Sequence, residues 1–106
     1  MADIRQQFVI PSPFTPMPNV DGSNPHRSNL VDSLFTLNIP TGCSEVLVQA
    51  TVQNIRYTVN GTNPTAASGF VLISGNDPLS IPVTKNTVLK FISETAGAIL
   101  EHCFGE

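Results

Sequence analysis

The sequence is short of charge, of tryptophan and of recognisable reactive centres. Charged residues make up 12% of its 106 positions, about half the share of an average soluble domain. The five basic residues, Arg5, Arg27, Arg56, Lys85 and Lys90, form no cluster, and the formal net charge is −3. A nucleic-acid surface needs grouped Lys and Arg against phosphate, so nucleic acid is not an expected partner. No apolar run approaches the ~20 residues that span a bilayer, and no membrane partner is expected. The opening Met1-Ala2-Asp3-Ile4-Arg5-Gln6-Gln7 lacks the basic-then-apolar pattern of a secretory leader, so a cytoplasmic origin is expected. The two cysteines, Cys43 and Cys103, are expected as free, partly buried thiols in that reducing compartment. Their spacing alone does not say whether they pair.

Motifs that carry chemistry are scarce as well. The two histidines are His26 and His102. There is no Cys-x-x-Cys or His-x-x-x-His pair, which argues against zinc. His102 and Cys103 are neighbours in an extended segment and so point to opposite faces. A dyad of Cys43 with His102 is unconstrained by the sequence, and no activating motif surrounds Cys43. The acids Asp3, Asp21, Asp32, Glu45, Asp77, Glu94, Glu101 and Glu106 are scattered, without a short-range pair. Asn19 to Asn24 alternates oxygen-bearing side chains as a calcium loop does, but it lacks the closing bidentate Glu. No glycine-rich phosphate loop follows a strand-like segment. The expectation is a protein that is not an enzyme, with no catalytic residue, metal or cofactor.

A chain of this length is one domain, large enough for one hydrophobic core. The missing charge is replaced by Ser, Thr, Asn, Gln and Pro rather than by apolar residues. Charges are depleted in the buried centres of protein interfaces, so one reading is a surface largely covered by partners. A quiet polar β-domain is the other.

From Asn29 onward, turn clusters recur roughly every ten residues, with β-branched residues between them. That spacing predicts an all-β domain, a β-sandwich or jelly roll of about 7–8 short antiparallel strands. Leu30 to Ile39 alternates only in its second half, at Phe35, Leu37 and Ile39. Glu45 to Val52 is the clearest strand, with Val46, Val48, Ala50 and Val52 on one face. Ile55, Tyr57 and Val59 then alternate on odd numbers, so a bulge or tight turn is expected across Gln53-Asn54. Phe70 to Ile73 reads as a short apolar strand. Leu79 to Val83 contains Pro82 and reads as an edge. Thr87 to Ser93 and Ala98 to Phe104 read as the last two strands, with Gly97 weighing against a helix between them.

The domain is read as residues 29–106, preceded by an extended arm and Pro-rich loop over residues 1–28. Phe8, Val9 and Ile10 form a short apolar segment, followed by Pro11-Ser12-Pro13-Phe14-Thr15-Pro16-Met17-Pro18. Proline fixes φ and removes backbone donors, so this stretch runs extended. Structureless loops beyond ~12–15 residues are uncommon in compact domains unless functional. The favoured reading is therefore an arm lying on a neighbouring subunit, with Phe8, Ile10, Pro11, Pro13, Phe14, Pro16, Met17 and Pro18 as its contact residues. An ordinary long loop is the alternative.

Residues 55–70 run Ile55-Arg56-Tyr57-Thr58-Val59-Asn60-Gly61-Thr62-Asn63-Pro64-Thr65-Ala66-Ala67-Ser68-Gly69-Phe70. This stretch resembles small virion proteins of tailed bacteriophages, which carry a strand, an Asp-Gly-Thr-x-Pro-Thr turn and a returning strand. Asn60 stands where Asp is usual, which keeps the turn geometry. The ending, Lys90-Phe91-Ile92 and then Ala96 to Leu100, is also similar to the close of those proteins. Arg56, Tyr57, Thr58, Asn60, Gly61, Thr62, Pro64 and Thr65 are read as a structural turn motif. The resemblance implies a virion location after assembly in the host bacterial cytoplasm. It further implies a capsid decoration or cement subunit that binds the major capsid protein or other virion subunits, as a homo-oligomeric trimer or dimer. The same hairpin is similar to one in β-sandwich modules of sugar-degrading enzymes. The alternative is thus a carbohydrate- or receptor-binding module of a tail fibre or secreted enzyme. Sugar binding favours exposed flat aromatics, and the sequence holds no Trp and a single Tyr, Tyr57, on an expected buried face.

Overall fold

The computed structural model describes residues 14–17 and 26–106. Eight strands follow one another: β1 His26–Leu30, β2 Phe35–Leu37, β3 Glu45–Thr51, β4 Ile55–Thr58, β5 Phe70–Leu72, β6 Leu79–Pro82, β7 Leu89–Ser93 and β8 Ile99–Gly105. They form two four-stranded antiparallel sheets, in the orders β1-β8-β3-β6 and β2-β7-β4-β5. The pairs β1·β8, β2·β7, β3·β6 and β4·β5 nest inside one another, as in a long hairpin rolled over itself. That nesting makes the β-sandwich a jelly roll.

Alternation builds the core. In β3, Val46, Val48 and Ala50 point between the sheets and are buried, while Leu47, Gln49 and Thr51 face outward. β7 contributes Leu89 and Phe91 from the other sheet, and β8 contributes Leu100. With Val31 and Ile55 these are the largest fully buried side chains. Each stabilises the fold by about 1.5–3 kcal/mol over an exposed counterpart.

Three expectations need correction. The loop read through Ser28 ends earlier, because β1 starts at His26. It is an edge strand with mostly exposed side chains, so it shows no hydrophobic alternation. Leu30 to Ile39 is not one strand. Val31 breaks it by donating to Ala98 O (3.2 Å) and accepting from Ser93 N (3.0 Å), which ties both sheets together. Val52 does not join Val46, Val48 and Ala50. It has φ 73° and is 67% exposed, and Gln53 N donates to Thr51 O across it at 2.9 Å. That is a γ-turn with positive φ, a rare and strained form, and it is how the expected parity change is made.

Strand direction alternates along the chain, so the connections segregate to two poles. Residues 31–34, 52–54, 73–78 and 94–98 connect strands at one pole. Residues 38–44, 59–69 and 83–88 connect them at the other, where β8 also ends. Among the described residues no helix is long and apolar enough to cross a membrane.

Candidate interaction surface

The reactive side chains lie in separate settings. Cys43 is buried in the core, with Sγ donating to Glu45 O at 3.2 Å. Cys103 is partly buried on the outer face of the first sheet, and burial pushes its thiol pKa up. Both are free thiols. His102 points between the sheets, its ring centroid 5.4 Å from Phe104 and 6.5 Å from Phe35. Its Nδ1 is buried without a hydrogen-bond partner. Burial, with the Arg27 charge second, lowers its pKa to about 4. A neutral imidazole packed among aromatics at neutral pH is a core residue in character. Among the described residues no group of three or more His, Cys, Asp and Glu is placed to hold a metal ion.

A shallow cleft of about 290 Å³ lies on the outer face of the first sheet, with His26, Gln49, Thr51, Glu101 and Cys103 among its lining. Its polar groups are engaged with one another. Glu101 Oε1 accepts from Ser28 Oγ at 2.6 Å and bonds His26 Nε2, and Gln49 Nε2 donates to Asn76 O at 3.0 Å. The Ser28 bond is the main reason that the Glu101 carboxyl lies below its ordinary range. Both Glu101 bonds cross from β8 to β1 and fasten that edge strand.

The turn motif folds back on itself and on its neighbours. Asn60 Oδ1 accepts from Thr62 N at 3.1 Å, and Gly61 has φ 85°. Thr65 Oγ1 accepts from Ala67 N at 3.2 Å, and Thr58 Oγ1 donates to Thr62 O. Arg56 Nε reaches Glu94 Oε2 at 2.5 Å and Nη1 reaches Gly69 O at 3.1 Å. The Glu94 carboxyl lies below its ordinary range chiefly for that Arg56 bond. Pro64 is buried. Tyr57 packs on Phe91 and Phe70 at 6.0 and 5.6 Å, and burial raises its phenol pKa. These bonds close the hairpin, and Tyr57 is partly buried against Phe91 and Phe70.

Of the expected arm contacts, Phe8, Ile10, Pro11, Pro13 and Pro18 lie outside the described residues. The others lie against this chain itself. Pro16 bridges Gly105 antiparallel, Met17 N donates to Phe104 O at 2.8 Å, and Glu106 N donates to Thr15 O at 2.9 Å. Met17 packs on the core, and Phe14 lies over Gly105. Phe14 and Met17 thus pack against their own domain at the end of β8. Two apolar side chains find nearer partners at the end of β8.

The feature that sequence reading missed lies at the opposite edge. β5 and β6 end their respective sheets on the same side of the sandwich. Phe70 stands opposite Tyr57, and Leu79 stands opposite Val48, so both belong to the inner faces. They are nevertheless 63% and 43% exposed. Val71 and Ile73 of the same edge are exposed as well, and a groove of about 200 Å³ opens among Ala50, Val71, Leu72, Ile73 and Leu79, with Gln49, Asn76 and Asp77 also lining it. The apolar run Phe70 to Ile73 was visible in the sequence, but alternation reveals a face and not whether anything covers it.

No family model, no curated protein and no solved structure matches the chain.

Proposed function

We propose that the chain is a structural subunit of a tailed-phage particle, a decoration or cement protein that works by adhering to other polypeptides. The observation that carries adhesion is the uncovered inner face at β5 and β6, where Phe70 and Leu79 stay in solvent. Large exposed apolar side chains gathered at a sheet edge, here Phe70, Val71, Ile73 and Leu79, are a feature of interaction sites. The low share of charged residues agrees with a surface made for partners. The virion setting rests on the resemblance of residues 55–70 and of the closing strands. Stabilisation would be additive: many symmetry-related copies bridge neighbouring shell subunits, and all must detach before the shell opens.

The experiment is to purify particles from cells that encode the chain, identify it by mass spectrometry and image the shell. Copies at regular shell positions are expected. Absence from particles, with the chain abundant in the same lysate, overturns the proposal. The seat for a carbohydrate-binding role is the cleft beside Glu101 and Gln49, and saturable binding on a glycan array would favour it. Without an open aromatic platform there, it remains the second reading.

A further inference from the structure

We infer that residues 1–13 of one copy lie in the open groove between β5 and β6 of a second copy, so that the chain assembles by donating its N-terminal segment. The inference goes beyond the virion proposal and does not depend on it. The acceptor is the groove at the β5 and β6 edges, where the exposed Val71, Ile73 and Leu79 line it beside Leu72, with Gln49, Asn76 and Asp77 at its polar end. Edge strands are normally guarded by charge, proline or cover. β1 carries His26 and Arg27, and β6 carries Pro82, whereas Phe70 to Ile73 has no such residue. Ungarded apolar edges accept strands from other chains.

The donor is argued from composition, length and exit point. Thirteen residues precede Phe14, and Phe8-Val9-Ile10 among them is uncharged, apolar and strand-forming. It matches the three-residue length of β5. Thirteen extended residues reach at most about 45 Å, ample to cross to a neighbour. Residues 14–17 run antiparallel to the end of β8, on the side of β8 that β1 occupies. Phe14, the first described residue of this strip, thus lies beyond the C-terminal end of β8. The groove lies past β8 and β3 at the far edge. Pro11 and Pro13 resist a sharp return, which favours a second copy over the same one. Donation of this kind is head-to-tail, and it closes as a ring where the rotation permits.

The test uses light scattering after size exclusion on four samples: the full chain, a chain beginning at Phe14, the full chain with Val71→Lys and Ile73→Lys, and a mixture of the two variants. The core side chains all lie from Met17 onward, and both lysines replace exposed residues, so both variants should fold; circular dichroism and melting verify this. The full chain should be oligomeric and each variant monomeric. The mixture should form a 1:1 complex, because one variant keeps the groove and the other keeps the segment. As a second measurement, a labelled peptide of residues 1–13 should bind the shortened chain, and Val71→Lys should weaken it by about tenfold or more through burial of an unpaired charge. A monomeric full chain, an oligomer that survives either change, or a mixture that stays monomeric overturns the inference. Loss of oligomerisation leaves particle attachment free to be measured separately.

Discussion

Leu79 stands directly opposite Val48 in the β3–β6 ladder, so the two side chains leave the sheet on the same face, yet Val48 is fully buried and Leu79 is 43% exposed. The difference lies in the opposing layer. Val48 faces a covered interior, while Leu79 faces the opening beside β5. The pair separates what the fold needs from what it leaves available.

Truncation should expose that separation. Val48→Ala is expected to lower stability by about 2 kcal/mol through lost contact and a residual cavity. Leu79→Ala is expected to lower it by less than about 1 kcal/mol in dilute monomer. Urea midpoints measured at low protein concentration check this. Equal losses would show that Leu79 is covered.

The γ-turn at Val52 should be open to improvement. A β-branched residue at φ 73° carries roughly 1–3 kcal/mol of strain. Glycine relieves it but brings about 0.5–1 kcal/mol of extra unfolded-state freedom. Val52→Gly should therefore stabilise the domain by about 1 kcal/mol, read as a higher denaturant midpoint. A lower midpoint would mean that the side chain contributes contacts which the exposed position does not show.

Acid should weaken the domain in a window set by His102. Its pKa falls from 6.5 to about 4 on folding, so between those values the unfolded chain binds the proton more readily. The corresponding stability is present in full above about pH 6.5 and drains away toward pH 4, reaching about 2–3 kcal/mol. Arg27, His26 and Glu101 are the charged or titratable neighbours that modulate it. His102→Leu should flatten the melting curve against pH across that window. Glu94 and Glu101 lie below their ordinary 4.5, so their acid loss comes at lower pH and should persist in the variant. An unchanged slope between pH 6.5 and 4.5 would remove His102 as its source.

Gly105→Ala should loosen residues 14–17. A Cβ there would stand 2.5 Å from Phe14 Cε1 and 2.8 Å from Glu45 Cγ. The aromatic ring is the easier of the two to displace. Faster hydrogen exchange at the Met17 amide is expected, with a midpoint change below about 1 kcal/mol because the inner core is untouched. Unaltered exchange would show that Phe14 does not hold the segment in place.

The sequence announced some of this and concealed the rest for physical reasons. β3 was legible because period-two alternation survives wherever one face meets a core. Gly61 was legible because Asn-Gly tolerates positive φ. Val52 was hidden, since its residue type argues against the conformation it adopts. β1 was hidden because an edge strand with exposed side chains has no alternation to read. The apolar character of Phe14 and Met17 was plain, but their destination depends on a contact with β8 some ninety residues away. Strand order and the opening at Phe70 are likewise set by long-range pairing, which local pattern does not encode.

The fastening of residues 14–17 to the tail of β8 has a mechanical consequence. Tension drawn between Phe14 and Glu106 would load the Thr15–Glu106 bond first and the Met17–Phe104 bond next. The contacts would part singly, as in a zipper, and not in concert, as in a sheared joint. A subunit hauled by its leading end would shed this strip under little force, lengthening its tether while the rolled strands behind it stay slack.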